Sequence, residues 1–189
     1  MIVNYHKTII MELIDKPKTK TGQILSVLHI LAWVAFVGYL IEAGSIIISY
    51  GVSCLNLEGA DLYKGLNLFN LRQYNFWHYT LYVSFMVAAS ILKSLTAFLV
   101  IKAIRSMSLK NPFTMEVAGK LEKISYVIFG TWVVIMLSNA QLGMLLKITG
   151  ELYANWISGE FIFMAGVVYV FSQIFKRGVE IQSENDLTV

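Results

Sequence analysis

Apolar residues along this chain gather in four long blocks separated by short polar stretches, rather than in brief stripes alternating with solvated faces. The first block runs over about 24–50, the second over 76–101, the third over 124–146 and the fourth over 157–175. Each is close to or above the roughly 20 apolar residues that a helix needs to cross about 30 Å of hydrocarbon. A membrane barrel would need many shorter segments of alternating polarity, so continuous apolar runs predict helices. The expected fold is all-α: an integral membrane four-helix bundle with a 1–23 N-terminal arm, a 24–175 transmembrane domain and a 176–189 tail.

The polar stretches between the blocks predict further elements. Ile2, Tyr5, Ile9 and Leu13 recur at helical spacing, so Met1–Ile14 reads as a helix lying on the membrane surface until Pro17, or else as a frayed arm. Leu55, Leu62, Leu66 and Phe69 suggest a short helix resting on the outer interface, or a loop packed on the bundle. Asn111-Pro112-Phe113-Thr114 reads as a helix start, with Asn111 as the capping acceptor and Pro112 in the first helical position. The third span is then expected to begin with a turn or two of helix outside the bilayer.

Charge decides the expected orientation. Of the fifteen basic residues, Lys7, Lys16, Lys18, Lys20, Lys102, Arg105, Lys110, Lys120, Lys123, Lys176 and Arg177 fall on one side of the four spans. Only Lys64, Arg72 and Lys147 fall on the other, and Lys93 lies within a span. The positive-inside rule places the richer side, with both termini, in the cytoplasm. Tyr74, Phe76, Trp77, Tyr79, Tyr153 and Trp156 collect at the opposite boundary, as aromatic belts do. A net charge of +3, sorted by membrane side, argues against direct nucleic acid binding. The one cysteine, Cys54, permits no intrachain disulfide and no thiolate cluster. No cleavable signal sequence is expected, because Asn4, His6, Lys7 and Glu12 interrupt the N-terminal stretch.

Two motifs carry a family resemblance. Asn111-Pro112-Phe113-Thr114-Met115-Glu116, together with Phe175-Lys176-Arg177-Gly178 through Glu184-Asn185-Asp186-Leu187-Thr188-Val189, resembles the YoaS-like family of small bacterial membrane proteins, over most of the chain from the first span to the last residue. The resemblance implies a four-span protein of the bacterial cytoplasmic membrane with no assigned activity. It also implies a small cytoplasmic helix-turn-helix regulator encoded nearby, and supplies no catalytic residues.

Ionisable groups inside a span cost roughly 2.5–3.5 kcal/mol on insertion scales and are functional candidates by default. Counting 1.5 Å per residue from the expected cytoplasmic ends puts Glu42 about 27 Å up, Asn139 and Gln141 about 22–25 Å and Glu160 about 25 Å, with His78 at similar depth. These five form a candidate outer layer that either holds a cation or polar ligand, or fixes helix register by hydrogen bonding. Lys93 falls about 13 Å up and about 13 Å below Glu42, which makes that pair poor partners on this arithmetic. His29, Thr131, Tyr169 and Gln173 are its expected inner neighbours, the alternative being that Lys93 snorkels to the cytoplasmic headgroups. Small residues Ala35, Gly38, Ala43 and Gly44 are candidates for close helix approach, including homo-oligomer contacts.

Paired haem histidines, HExxH, GxSxG, Walker and Rossmann patterns are all missing from the sequence, so no enzymatic, cofactor or metal role is expected. A non-enzymatic accessory or signalling role through a cytoplasmic partner is the expected function, with Asn111, Pro112, Phe113, Glu184, Asp186 and Leu187 as the candidate contact. The tail is otherwise a solvated end. A small transporter or channel subunit acting as an oligomer is the competing expectation; no span is interrupted at its midpoint, as transporter sites often require.

Overall fold

The computed structural model describes residues 20–55, 68–107, 113–149 and 159–186. Helix α1 is Lys20–Leu55, α2 is Phe69–Tyr74, α3 is Phe76–Ser106, α4 is Met115–Thr149 and α5 is Gly159–Asp186. Four of the five are long and apolar enough to cross a membrane, and no strand occurs among the described residues. The molecule is an all-α, four-helix multi-pass membrane protein. The surface arm Met1–Ile14 lies outside the described residues.

Each long helix runs beyond its apolar block, because nothing in the flanking polar residues stops a helix once the hydrocarbon-spanning part has formed. At about 1.5 Å per residue, the 36 residues of α1 reach about 54 Å. Two helix starts are set by side-chain caps. Helix α4 begins at Met115, and its free backbone donors are met by Thr114, whose Oγ1 accepts from the Val117 amide at 3.3 Å. The expected cap at Asn111 and first helical position at Pro112 lie outside the described residues, and Phe113 and Thr114 are non-helical. Helix α3 starts on Asn75, whose side-chain oxygen accepts from the amides of Trp77 (2.8 Å) and His78 (3.2 Å).

The short helix α2 packs on the bundle, as one of the two sequence readings had it: Leu68 and Leu71 are fully buried and join Ile46, Tyr79, Tyr82, Val83, Met86, Leu142 and Leu145 in one cluster. Leu55 stays exposed, and Leu62 and Leu66 lie outside the described residues. A second cluster, built on Ala103, Ile124, Ile128 and Ala165, joins α3, α4 and α5 further along the bundle.

Successive long helices pack antiparallel, α1 on α3, α3 on α4 and α4 on α5. Helix α3 is the centre, with 33% of its most apolar window buried against 6% for α1. Small side chains make the close approach that lipid cannot drive by itself. Ala32, Ala43, Ile46, Ser49 and Ser53 are the buried face of α1, whereas Gly38 is exposed and a methyl group on Gly44 would meet nothing within 4 Å. Of the small residues expected on this helix, Ala43 is buried within the chain, Ala35 and Gly44 are half-buried and Gly38 is exposed. Some buried hydroxyls bond within their own helices, as Thr131 does on Val127 O (2.9 Å) and Ser172 on Tyr169 O (2.7 Å), while Ser94 donates across to α1. Among the described residues α1 and α5 have no backbone approach, so the bundle is a curled row of four helices open along one side.

Candidate functional site

The residues of the two sequence motifs meet in space. Phe113, just before α4, packs its ring on Phe175 of α5 with centroids 5.1 Å apart. One helical turn on, Gly178 lies against the same ring: a Cβ there would come within 2.9 Å of Phe113 Cδ1. A glycine inside a helix costs about 1 kcal/mol relative to alanine, and here it makes room for the ring. Alongside, Lys176 Nζ donates to Glu122 Oε1 at 3.0 Å, and the Tyr126 hydroxyl donates to the same oxygen at 3.3 Å. Tyr126 in turn faces Tyr169, with rings 6.3 Å apart. An aromatic and ionic joint thus ties the start of α4 to the middle of α5, at the edge of the apolar blocks.

A second polar group stands beside it at the turn from α3. Glu116 accepts from Ser106 Oγ (2.8 Å) and from Lys120 Nζ (2.5 Å), and Lys120 also donates to Ser106 Oγ. Beyond the joint α5 continues to Asp186, with Arg177 Nη1 donating to Glu180 Oε2 at 2.8 Å and Ile181 exposed. Glu184 is exposed on this extension, and Asp186 closes it. Asn111, Pro112 and Leu187, the other expected contact residues, lie outside the described residues.

The family match can now be placed on this geometry. The family described as "Protein of unknown function (DUF2975)" matches residues 63–189, about two thirds of the chain. The chain belongs to that family. The match takes in both halves of the joint and leaves out α1, so the family likeness reaches less far toward the N-terminus than the resemblance implied. It gives the YoaS-like name no further support. Neither a curated protein nor a solved structure matches the chain.

The inner polar group expected around Lys93 divides in two. Tyr169 and Gln173 belong with the joint: Tyr169 faces Tyr126, and Gln173 Nε2 donates to Ser172 Oγ at 3.2 Å. Lys93 instead stands in a cavity of about 230 Å³ lined by Tyr39, Thr96, Ala97, Ile128, Thr131, Phe161 and Met164. Its ammonium lies 5.8 Å from the Tyr39 ring centroid and 5.9 Å from that of Phe161. Side chains on a helix lean toward its N-terminus, which for α3 is the end at Phe76, away from the nearer boundary of the span. His29, whose Nε2 is buried without a hydrogen-bond partner, is on α1 opposite residues 101–103, about 12 Å from the level of Lys93.

Of the outer layer, the structure brings Gln141 to His78: Gln141 Nε2 donates to the His78 carbonyl at 2.9 Å, while Gln141 Oε1 is buried without a partner. Asn139 and Glu42 are half-buried, and Glu160 is exposed in the first turn of α5, where a helix N-terminus favours an acid. Among the described residues no three His, Cys, Asp or Glu side chains converge as a metal site.

The estimated separation of Glu42 from Lys93 needs correction. Ser94 Oγ donates to Phe36 O at 3.3 Å, the Tyr50 and Thr80 hydroxyls are 3.0 Å apart, and those of Ser53 and Tyr79 are 2.6 Å apart. This register sets Glu42 opposite Ala88 to Ser90, about 5–8 Å along the axis from Lys93. The earlier figure of about 13 Å assumed that the helices end where the apolar blocks do, but α1 and α3 both run past them.

Sequence reasoning missed Glu122, Tyr126, Phe175 and Gly178 as one unit. A signal was present, since Glu122 and Lys176 flank apolar blocks on the same side, but nothing in either motif shows that the two meet.

Proposed function

We propose that this protein is a non-enzymatic accessory or signalling component of a bacterial cytoplasmic membrane, with both termini in the cytoplasm, acting through a cytoplasmic protein partner. The observation that carries the reading is the continuation of α5: residues 176–186 carry the helix about 16 Å beyond the apolar block, exposed over 180–185 and anchored at the root by the Phe113–Phe175–Gly178 joint. A solvated tail would need no such anchor. Eleven of the fifteen basic residues on this side support its cytoplasmic placement. The extension presents Ile181 among Arg177, Glu180 and Glu184, a mixed surface suited to a protein rather than to nucleic acid. A small helix-turn-helix regulator is the partner class that the sequence resemblance implies.

The test is a detergent pull-down from the native host with the full-length chain and with a chain ended after Gly178. A cytoplasmic regulator captured only by the full-length chain supports signalling and locates the contact. No specific partner with either chain sinks the proposal, and solute flux through vesicles containing the purified protein then becomes the measurement of interest.

A further inference from the structure

Lys93 is held in the membrane at a cost, leaning toward the bilayer centre rather than toward the nearer surface. Aromatic faces offset part of that cost, each cation–π contact contributing on the order of 1 kcal/mol. A countercharge completes it, and the register names one. Glu42 stands about 5–8 Å farther along, within reach of two long side chains. It is one helical turn from Tyr39, whose ring already flanks the ammonium. Direction adds to distance: α1 and α3 are antiparallel, so Glu42 leans back along α1 toward the level of Lys93 while Lys93 leans up α3 toward Glu42.

We propose that Glu42 and Lys93 form an intramembrane ion pair that docks α1 onto the family portion of the molecule, along the wall of the open side between α1 and α5. Lys93 lies inside the stretch that matches the family and Glu42 outside it, so the matched three-helix body presents a cation to which a transmembrane helix carrying a carboxylate attaches. The apolar contacts of α1 are few for a helix of its length, which makes one charged contact weigh more in fixing its position and register. Intramembrane pairs beside a cavity also mark the places where membrane proteins handle polar solutes, and Lys93 of this pair lines the 230 Å³ cavity. The inference is independent of the cytoplasmic joint.

The experiment is a double-mutant cycle on the full-length chain in lipid nanodiscs, read as thermal unfolding midpoints. The variants are Glu42→Gln, Lys93→Met, the two together, and the exchanged pair Glu42→Lys with Lys93→Glu. Removing one partner leaves the other charge uncompensated, so each single change is expected to lower the midpoint by on the order of 10 °C. The neutral double variant is expected to melt no lower than the worse single one, and the exchanged pair to regain much of the loss. If a single variant does not fold at all, recovery of folded protein in the neutral double variant carries the same meaning. Losses that simply add in the double variant, or a Glu42→Gln midpoint equal to that of the parent, overturn the pair.

Discussion

Replacing Gly178 by alanine tests the joint through a balance of two opposed effects. In an exposed helix the change alone is stabilising by about 1 kcal/mol, because alanine loses less backbone entropy and covers more of the helix. Here the new methyl would stand 2.9 Å from Phe113 Cδ1 and 3.2 Å from Cγ, closer than carbon atoms pack, so the ring has to move off Phe175. Losing that aromatic pair costs about 0.5–1.5 kcal/mol. The two nearly cancel, and Gly178→Ala in the parent chain is expected to leave stability within about 0.5 kcal/mol of its starting value. In a Phe113→Ala background the obstacle is gone, and the same change is expected to stabilise by about 1 kcal/mol, or about 2–4 °C in the midpoint for a chain of this size. Thermal unfolding of the four proteins in nanodiscs measures the coupling, expected at about 1 kcal/mol. Equal stabilisation by Gly178→Ala in both backgrounds would refute the reasoning, since it would mean that the ring does not occupy the space over Gly178.

Thr114→Ala removes the acceptor at the start of α4 and is expected to destabilise by about 1 kcal/mol, with faster amide exchange at Val117 as the local readout. Tyr79→Phe deletes the hydroxyl paired with Ser53 inside the cluster around Leu68 and Leu71 and is expected to cost about 1–2 kcal/mol in the same unfolding assay. Gln141→Leu is expected to change stability by less than about 1 kcal/mol, because it gives up a bond to one helix carbonyl while removing an unpartnered buried oxygen. A loss well above that would show that Gln141 does more than position α4 on α3.

The spans were legible because lipid imposes a one-dimensional rule: a helix that must satisfy its backbone in hydrocarbon shows as an unbroken apolar run, whatever its neighbours. Helix ends were less legible. Asn111 and Thr114 are both good cap residues by type, and the described start of α4 is the one on Thr114, beside the packing of Phe113 on Phe175. Leu55, Leu62, Leu66 and Phe69 gave the signal of a short apolar helix but not of the burial of Leu68 and Leu71 beside them, because packing on the bundle and seating at an interface require the same apolar spacing.

By itself, the sequence determined the number of membrane helices, the sorting of charge between the two sides and the membership of Phe113, Lys176 and Gly178 in two short motifs. Only the tertiary structure decided that those motifs close on one another, that Tyr169 and Gln173 belong with Glu122 rather than Lys93, and that α1 stands at one edge of an open row. The physical reason is register. Apolarity fixes that a segment crosses the bilayer, but the axial offset between neighbouring helices comes from small-residue contacts and individual hydrogen bonds such as Ser94 to Phe36. An offset of a few residues decides which polar side chains can reach each other, as the corrected distance between Glu42 and Lys93 shows.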